Sequence, residues 1–457
     1  MAAGKGKRLR SRIPKVLHEV CGRPVLWHVL EALRPVKPDP VVVVVGHGRD
    51  EVEDAVRSWN LRLPIRFAHQ DEPLGTGHAV MVAERAVGRA DEILVLAGDE
   101  PLVTGTQLRD LIRRRSRRDA AGVVQTTVPA QPEGYTSIIR EGDRFVRMAN
   151  HPPVEGPMEV ATSTYAFRRE DLFRALPLLD RHNSQGEYYL FEVLNILRDK
   201  GEEIEVQVVD NGGSVGANSR AEMAMAEAVM RRRINARLME TGVRMTDPER
   251  TYVDVGVRVG QDTLLRSGTH LAGATKIGKD CVIGPSAVIE DSTVGDGARI
   301  EFSVVRGSRI GREATVGPYA HLRPGTVLGA RTKAGSFVEI KGSRIGEGSK
   351  VPHLSYVGDA VVGKDVNIGA GTVTVNYDGY EKHRTVIGDD VRIGSDTMLV
   401  APVRVGKGAV TGAGSVITKD VPAGALAVER TEQRVVPGYR ERKDREKGKA
   451  RKRGGKA

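Results

Sequence analysis

A small aliphatic residue recurs at every sixth position through the C-terminal half of this chain, from about Tyr252 to Val436. Glycine often follows it, and aromatic residues are few. Such hexapeptides are typical of a left-handed parallel β-helix, in which three short strands form each coil of a triangular prism and the aliphatic side chain points inward. The repeats therefore predict a β-helix over residues 252–436. The aliphatic positions spaced six apart within each run are Ile277, Ile283, Ile289, then Val294, Ile300, then Ile310, Val316, Leu322, Leu328, then Ile345, Val351, Val357, and finally Ile387, Ile393, Leu399, Val405.

The repeats alone leave two kinds of function open. A repeat fold does not by itself fix a function, so the prism is equally consistent with a scaffold or an oligomerisation element and with an enzyme. The segment NYDGYEKHR, Asn376 to Arg384, does not fit the period and is predicted to be a loop that leaves the prism.

Polar residues that break the aliphatic rhythm favour an enzyme. Arg323 and Lys341 are suited to hold a phosphate dianion, while Tyr356 and the asparagines offer hydrogen bonds to sugar hydroxyls. His353 offers an imidazole, the side chain that most often takes a proton from an attacking group. The combination predicts a site for an amino-sugar phosphate. The residues concerned are Arg323, Lys341, His353, Tyr356, Asn367, Asn376 and Tyr377.

The N-terminal half has a different sequence pattern. From Met1 to about Val215, apolar strand-like runs alternate with helical stretches, which predicts an α/β domain with a mostly parallel sheet. VVVVVG, starting at Val41, and EILVLAGD, starting at Glu92, are the clearest buried strands. A long helix follows, roughly from Arg220 to Glu240, closed by Gly242. The predicted domains are therefore 1–218 (α/β), 219–251 (linker helix), 252–436 (β-helix) and 437–457 (tail).

The chain opens with a glycine-rich loop, MAAGKGKRLRSRIPK. The amides of such a loop can approach phosphates closely, and Lys15 can neutralise charge during phosphoryl transfer. The loop alone is a weak signal for nucleotide binding.

Charge and composition exclude several function classes. The net charge is +11, and ten Lys or Arg against three acids between Arg440 and Lys456 contribute +7 of it. This tail has no apolar residues to bury, so we expect it to be disordered and expect no specific nucleic-acid partner. No apolar run approaches the roughly 18–20 residues that span a bilayer, so no membrane insertion is expected. Two cysteines, Cys21 and Cys281, and an N-terminus without the pattern of a signal peptide predict a cytoplasmic protein.

Four N-terminal segments in order, together with the C-terminal ones, carry a family resemblance. The opening loop resembles the AAGxGxR…PK signature of sugar nucleotidyltransferases, and QDEPLGTGHA, LAGDEPL and GANSR follow in the expected sequence. The chain as a whole resembles the bacterial family of bifunctional N-acetylglucosamine-1-phosphate uridyltransferases/glucosamine-1-phosphate acetyltransferases, over essentially its full length. The resemblance implies a Rossmann-like nucleotidyltransferase domain joined to a left-handed β-helix acetyltransferase.

The resemblance implies specific roles in the N-terminal domain. Lys15 and Arg8 would neutralise phosphate charge, Gln70, Gly75 and Thr76 would bind the uracil of UTP, and Asp99 with Asn218 would hold the catalytic Mg²⁺. The reaction would be in-line attack of a sugar 1-phosphate on the α-phosphate of UTP, releasing pyrophosphate. The nucleotide and sugar-phosphate residues carried over are Ala2, Ala3, Gly4, Arg8, Lys15, Gln70, Gly75 and Thr76.

In the C-terminal domain the resemblance makes His353 the general base for acetyl transfer from acetyl-CoA. It also implies a homotrimer whose active sites lie between subunits, and a product, UDP-N-acetylglucosamine, that serves cell-wall precursors. The residues assigned to the sugar phosphate are Arg323, Lys341, Tyr356, Asn367 and Lys382. Those assigned to acetyl-CoA are Ala370, Asn376, Tyr377, Ser395, Ala413 and Arg430.

The chain also departs from the family pattern. The apolar first strand expected before AAGKG has no counterpart ahead of Met1, which either a start codon placed too late or a truncated domain would explain. Thr136, Asn150 and Ala161 replace the Gly, Glu and Asn of the family's N-acetylglucosamine pocket, so these positions are treated as altered. Pro352 precedes His353 where the family has a small or polar residue, but it leaves the imidazole in place.

Three hypotheses follow. The leading one is the full bifunctional enzyme. In the second, the acetyltransferase is kept and the altered N-terminal pocket serves another sugar 1-phosphate or has little activity. In the third, the chain is a non-catalytic trimeric scaffold whose basic tail binds acidic partners.

Overall fold

A computed structural model describes residues 1–129, 135–150, 158–210 and 216–454, with side chains described through residue 448. The chain divides into an N-terminal unit, Met1–Thr275, and a C-terminal unit, Lys276–Ala457. The strands that stack into the β-helix begin at Arg244, so its first coils belong to the N-terminal unit. The domain boundary at 252 stays a prediction from the repeats, whereas the division between the two units lies after Thr275.

The N-terminal unit combines helices and strands in alternation. Its helices are α1 (Val25–Leu33), α2 (Arg49–Ser58), α3 (Thr76–Val87), α4 (Gly105–Arg118), α5 (Arg169–Ala175), α6 (Glu192–Asp199) and α7 (Arg220–Glu240). Its strands are β1 (Glu19–Val20), β2 (Arg23–Pro24), β3 (Val41–Val45), β4 (Ile65–His69), β5 (Glu92–Val95), β6 (Gly122–Thr127), β7 (Thr136–Glu141), β8 (Arg144–Asn150), β9 (Val160–Arg168), β10 (Ile204–Val208), β11 (Arg244–Met245), β12 (Tyr252–Val253), β13 (Arg258–Val259), β14 (Leu264–Leu265) and β15 (His270–Ala272).

The two strands singled out in the sequence are confirmed. β3 consists of five valines, four of them buried, and pairs in parallel with β4. A strand that is apolar on both faces must be covered on both faces, and residues of α1 and β3 share one hydrophobic core cluster while residues of α3 and β3 share another. The predicted α/β class follows from this arrangement.

The second sheet is mixed in direction, in contrast to the mostly parallel sheet expected. Its strand order is β10-β6-β9-β7-β8, and β5 also pairs with β9. β10 and β6 run in parallel, but β9 is antiparallel to β5, β6 and β7. The difference arises because β7 and β8 form a hairpin around Gly142, which adopts a φ of 62°, so the chain returns in the opposite direction.

Residues Met1 to Ala3 occupy the position between β3 and β5. The Ala2 amide donates to the Val44 carbonyl at 2.7 Å, and the Gly98 amide donates to the Met1 carbonyl at 2.7 Å. Within the described residues, β3 and β5 have no other strand between them. What remains is a cavity of about 210 Å³, lined by Val41 to Val44 of β3, Ile93 to Leu96 in and after β5, and apolar side chains of α1 and α3. We call it the β3–β5 slot.

Helix α7 has the bounds that the sequence predicts. The Ser219 hydroxyl caps it by accepting from the Glu222 amide at 3.2 Å, and Gly242 follows its end with a φ of 91°. The Asn235 side chain is buried and donates to the carbonyls of Pro248 and Thr251, both at 2.8 Å. These bonds fix the helix against the segment that leads into the first coil, where β11 pairs with β14 and β12 with β15.

The C-terminal unit is built almost entirely from strands of two to four residues. They are β16 (Lys276–Ile277), β17 (Val282–Ile283), β18 (Val288–Glu290), β19 (Thr293–Val294), β20 (Arg299–Ile300), β21 (Val304–Arg306), β22 (Arg309–Ile310), β23 (Thr315–Val316), β24 (His321–Leu322), β25 (Val327–Leu328), β26 (Lys333–Ser336), β27 (Glu339–Lys341), β28 (Arg344–Ile345), β29 (Lys350–His353), β30 (Tyr356–Gly358), β31 (Ala360–Val362), β32 (Asn367–Ile368), β33 (Val373–Val375), β34 (Thr385–Ile387), β35 (Arg392–Ile393), β36 (Met398–Val400), β37 (Val403–Val405), β38 (Val410–Thr411), β39 (Val416–Ile417) and β40 (Leu426–Ala427). One helix, α8 (Tyr439–Gly454), follows.

Every third strand stacks on its equivalent in the next coil, which produces three parallel sheets. One runs from β17 through β26, β29 and β32 to β40, the second from β18 through β27 and β30 to β39, and the third from β16 to β37. All sixteen aliphatic positions predicted to point inward are buried, with exposed fractions of 5% or less. The period therefore defines the core of a three-faced parallel β-helix.

A column of large apolar side chains projects from the corner between the first and second sheets. Phe302, Tyr319, Phe337 and Leu354 are 39%, 56%, 60% and 64% exposed. Ring centroids of Phe302 and Tyr319 lie 5.7 Å apart, and those of Tyr319 and Phe337 lie 5.3 Å apart. All four residues have φ between 44° and 60°, a conformation that turns the chain sharply at this corner. We call them the corner column.

The basic tail differs from expectation. Predicted to be disordered, it is helical in the structure as α8. Acids interspersed with cations give ion pairs one turn apart, including Lys443 with Glu446 at 3.0 Å and Arg445 with Glu441 at 3.8 Å. Composition alone did not reveal this spacing. The residues of α8 through Gly448 are exposed.

Candidate active sites

The N-terminal unit contains a cavity of about 690 Å³ beside the glycine-rich loop. Gly6 in this loop has a φ of 60°, and a Cβ atom there would lie 2.8 Å from the Lys15 Cβ, so a side chain would displace Lys15. All ten N-terminal residues predicted from the sequence line the cavity. They are Ala2, Ala3, Gly4, Arg8, Lys15, Gln70, Gly75, Thr76, Asp99 and Asn218.

Lys15 lies at the centre of the polar groups in this cavity. Its ammonium contacts the Asp99 carboxylate and donates to the Asn218 side-chain oxygen at 2.5 Å. Two side-chain oxygens from distant parts of the chain therefore contact the same ammonium group. Asn218 is held in turn through its backbone amide, which donates to the Glu222 carboxylate at 2.8 Å.

The other end of the cavity is built around Gln70. Its side-chain amide donates to the Gly75 carbonyl at 3.0 Å and lies 3.1 Å from the His78 ring nitrogen Nδ1. Gly75 has a φ of 103°, and a Cβ there would lie 2.6 Å from the Tyr188 carbonyl oxygen, so only glycine fits. The Thr76 hydroxyl accepts from the Leu190 amide at 2.9 Å. These bonds give the loop from Gln70 to Thr76 a fixed shape.

Glu100 is a buried carboxyl group that the sequence analysis did not single out. It lines the same cavity beside Asp99 and accepts a hydrogen bond from the Thr164 hydroxyl at 3.2 Å. Burial, together with the nearby Asp99 charge, raises the pKa of Glu100 well above its usual value. A charged residue directly after a predicted ligand was the signal available in the sequence.

The three altered positions do not lie together in the cavity. Thr136 and Ala161 line it, whereas Asn150 is exposed and accepts a hydrogen bond at 2.9 Å from the Thr136 hydroxyl across the β7–β8 pair. Two of the substitutions are therefore partners of each other. The third, Ala161, leaves an apolar wall where the family has an amide.

In the C-terminal unit, two of the predicted phosphate-binding cations lie one coil apart. Arg323 follows β24 and Lys341 ends β27, and these strands pair directly. Arg323 pairs with Glu339 at 2.9 Å, and Lys341 pairs with Asp359 at 3.1 Å. Lys341 donates a hydrogen bond to Asp359, which raises the pKa of Lys341, so the lysine stays charged. Tyr356 begins β30, paired with Glu339, and so lies on the same face.

His353 belongs to the first sheet and lies at the corner that separates it from that face. It ends β29, is exposed, and directly precedes Leu354 of the corner column. β29 continues through Pro352, so the substitution leaves the strand intact. Asn367 lies in the next coil of the sheet that contains β29, where it pairs with Lys350.

In the coils that follow His353 along the chain, small residues take the position of the imidazole. The register of the strands places Ala370, Ser395 and Ala413 at the position of His353 in successive coils, so small side chains continue its column. The Arg430 guanidinium donates to the Ala413 carbonyl at 3.2 Å. Four of the six residues predicted for acetyl-CoA therefore line one corner. The other two, Asn376 and Tyr377, lie in the predicted loop, together with Lys382.

Sequence reasoning missed the acids that pair with the predicted cations. Glu339 and Asp359 contact Arg323 and Lys341, respectively. A usable signal existed, since a coil without the loop contains 16 to 18 residues, as the pairing of Thr293 with Arg309, of Lys333 with Lys350 and of Thr315 with Lys333 shows. Opposite charges 16 to 18 residues apart are therefore neighbours in space. Asp378, which organises the loop, was missed as well.

These features define the class of protein. Residues 1–187 match the family described as MobA-like NTP transferase domain, and residues 256–291 match bacterial transferase hexapeptide (six repeats). Residues 306–411 match the GMPPB C-terminal domain. The chain is thus a nucleotidyltransferase fused to a transferase of the left-handed β-helix type.

Full-length relatives narrow this class to one family. The chain is 45% identical to the Bifunctional protein GlmU of Desulfitobacterium hafniense over 444 residues, which cover 96% of this chain and 97% of the relative. It is 47% identical to the Bifunctional protein GlmU of Heliobacterium modesticaldum over 452 residues, 97% of each chain. The chain belongs to the bifunctional GlmU family, as the resemblance predicted.

Across the part of the chain that the structure describes, helices are too short or too polar to cross a bilayer.

Proposed function

We propose that the chain catalyses two consecutive reactions. It transfers an acetyl group from acetyl-CoA to glucosamine 1-phosphate, and then a uridylyl group from UTP to N-acetylglucosamine 1-phosphate, producing UDP-N-acetylglucosamine. The observation that carries this conclusion is membership of the bifunctional family over 96% of the chain. The hypothesis that the N-terminal pocket serves another sugar phosphate is not favoured by this relationship, and neither is a non-catalytic scaffold.

The N-terminal cavity supports the uridylyl transfer. Lys15 and Arg8 line it with positive charge, which would hold the triphosphate of UTP and offset charge that develops at the α-phosphate. The fixed loop from Gln70 to Thr76 would read the uracil through its amide and backbone groups. The catalytic work of these residues is to position the two substrates and to neutralise charge.

The same cavity has suitable donors for Mg²⁺. The Asp99 carboxylate and the Asn218 amide oxygen both point at the ammonium of Lys15, which stands where a cation belongs. Mg²⁺ prefers oxygen ligands and is usually held by one or two protein carboxylates plus substrate phosphates. Among the described residues, no three His, Cys, Asp or Glu side chains are grouped as a metal site. Asp99 and Asn218 would thus hold an ion that arrives with the nucleotide and adds positive charge at the phosphates.

The C-terminal unit supports the acetyl transfer. Arg323 and Lys341 would bind the phosphate of glucosamine 1-phosphate, with Tyr356, Asn367 and Lys382 contacting the same substrate. His353 would take the proton from the amine as it attacks the thioester of acetyl-CoA. The small residues above His353 would leave room for the acetyl-CoA chain along the corner.

We propose a homotrimer as the active form, with each acetyl-transfer site shared between chains. Within one chain, Lys341 ends a strand of the second sheet whereas His353 ends a strand of the first, and the corner column beside His353 presents a row of apolar side chains to a partner. Substituting serine for Tyr319 and Phe337 should dissociate the assembly and abolish acetyl transfer, while uridylyl transfer persists. Sedimentation analysis of the variant would test this, and an unchanged molecular mass would contradict it.

We also propose a cytoplasmic location, because acetyl-CoA and UTP are the proposed substrates and two buried cysteines, Cys21 and Cys281, provide no disulfide framework.

A split assay on the purified protein tests the two activities. CoA release would be followed with acetyl-CoA and glucosamine 1-phosphate, and pyrophosphate release with UTP, Mg²⁺ and N-acetylglucosamine 1-phosphate. Both products are expected. His353→Ala should lower CoA release by about 10² to 10⁴ and leave pyrophosphate release unchanged, because a general base typically contributes that much. Absence of either product from the wild-type protein would refute the corresponding half of the proposal.

A further inference from the structure

The loop between β33 and β34 is a compact hairpin that the β-helix period does not require. Tyr377 and Lys382 form an antiparallel bridge, and the His383 amide donates to the Asn376 carbonyl at 2.8 Å. This Asn376–His383 hairpin carries Asn376 and Tyr377, proposed to contact acetyl-CoA, and Lys382, proposed to contact the sugar phosphate. One small element thus presents groups to both substrates.

The side chain of Asp378 holds the turn of this hairpin. Its Oδ1 accepts from the amides of Tyr380 at 2.8 Å and Glu381 at 2.7 Å, and its Oδ2 lies 2.7 Å from the His383 ring nitrogen Nε2. The Asp378 amide also donates to the Glu381 carbonyl at 3.3 Å. A single carboxylate therefore closes the turn and ties it to the strand that leaves the hairpin.

These contacts favour the ionised carboxylate. The hydrogen bond from the Glu381 amide, then those from His383 and the Tyr380 amide, hold the pKa of Asp378 well below its usual value. The turn is otherwise open to solvent, since Tyr380 at its tip is 93% exposed. Packing cannot fix the shape of this hairpin, so its polar contacts must.

The base of the hairpin is attached to the phosphate-binding side of the site. The buried Asn376 side chain donates to Asp359 Oδ2 at 2.5 Å, and the same carboxylate pairs with Lys341 at 3.1 Å. Burial alone would raise the pKa of Asp359, but the bonds from Asn376 and Lys341 lower it below its usual value. The hairpin is thus fixed at both ends, at its base by Asp359 and at its turn by Asp378.

From this geometry we propose that Asp378 is a positioning residue for acetyl transfer, which holds the hairpin so that Tyr377 and Lys382 reach their substrates. The proposal rests on the acetyl transfer proposed above for this unit. Asp378 itself acts through the hairpin backbone and His383.

The test compares Asp378→Ala, Asp378→Asn and a control, Tyr380→Ser, which alters the exposed tip of the same turn. Asp378→Ala should raise the KM for acetyl-CoA and for glucosamine 1-phosphate by roughly tenfold, because three hydrogen bonds that order the hairpin are lost. Asp378→Asn keeps an oxygen that accepts from the Tyr380 and Glu381 amides, so it should recover most of that loss. Tyr380→Ser should match the wild type, and kcat should change less than KM in every variant.

Uridylyl transfer by the same molecules and their thermal unfolding serve as internal controls, and both should stay at wild-type values. Wild-type KM values for both substrates in Asp378→Ala would overturn the proposal, and so would an equal loss in all three variants or a loss of uridylyl transfer in parallel. Absence of CoA release from the wild-type protein would instead refute the proposed acetyl transfer, so the two failures are distinguishable.

Discussion

Filling the β3–β5 slot should stabilise the N-terminal unit by a predictable amount. Ala2 pairs in parallel with Val45 at the end of β3, so Met1 lies opposite Val44 and four residues added directly before Met1 would run beside Pro40 to Val43. Two extended proteins would be compared, one with four valine residues and one with four threonine residues, which have the same branched shape. Both lose a similar backbone entropy on folding, so the comparison isolates the apolar filling.

The magnitude follows from the size of the cavity. At about 24 cal/mol per Å³ for an enclosed apolar cavity, the 210 Å³ of this partly open slot set an upper limit of about 5 kcal/mol. Urea unfolding of the N-terminal transition should show the apolar extension to be more stable, by no more than that limit. Equal midpoints for the two extensions would refute the reasoning, because the slot would then not be an apolar void in solution.

The pH dependence of stability provides a second readout of the same change. Burial lowers the pKa of the Met1 amine from 8.0 to about 6, despite the nearby Asp99 charge. The unfolded chain therefore binds more protons between pH 6 and 8, and stability should rise with pH across that window, by about 3 kcal/mol in total. An extension removes the buried amine, so this rise should vanish for both extended proteins.

Three further predictions concern single side chains. Lys15→Ala should lower uridylyl transfer by about 10² to 10³ without affecting CoA release, because a preorganised charge at the phosphates is lost; equal loss of both activities would contradict this. Glu100→Gln should be more stable than the wild type at pH 8 and similar near pH 4.5, because the raised pKa of Glu100 makes the folded protein lose stability as pH rises above 4.5; matching urea midpoints at pH 8 would argue against it. Thr385→Val should stabilise the C-terminal unit by about 1 kcal/mol, since the buried Thr385 hydroxyl has no hydrogen-bond partner in the described structure; a lower melting temperature would show that a partner exists.

The repeats made the C-terminal fold predictable because one rule governs every coil. An aliphatic residue at every sixth position fixes the strands, the inward face and the loop that leaves the prism, so all sixteen core positions were identifiable. The direction of β9 could not be predicted from the sequence. It depends on the β7–β8 hairpin, and local apolar patterns do not encode that hairpin. The helical tail was missed for a related reason, since composition averages over the spacing of Lys443 and Glu446 that supports it.

Motifs located N-terminal residues that line one cavity, but not the surroundings of those residues. The structure brings Asp99 and Asn218 to the same point although they are far apart in sequence, which only ordered family motifs could anticipate. Glu100 and Asp359 acquire their importance from burial and from neighbours in other strands. Such contacts can be anticipated in the β-helix from its coil length, whereas the α/β unit offers no fixed repeat from which to predict them.

The β-helix also has a fixed length per coil. Each coil advances the chain by the spacing of neighbouring strands, about 4.8 Å, so the distance from His353 to Ala413 is set by the number of coils between them. Deleting or adding one complete coil above His353 would shorten or lengthen the row of small corner residues by that fixed step while leaving the core pattern intact. If the proposed acetyl-CoA site lies along this corner, the number of coils sets the length of the donor molecule that fits there.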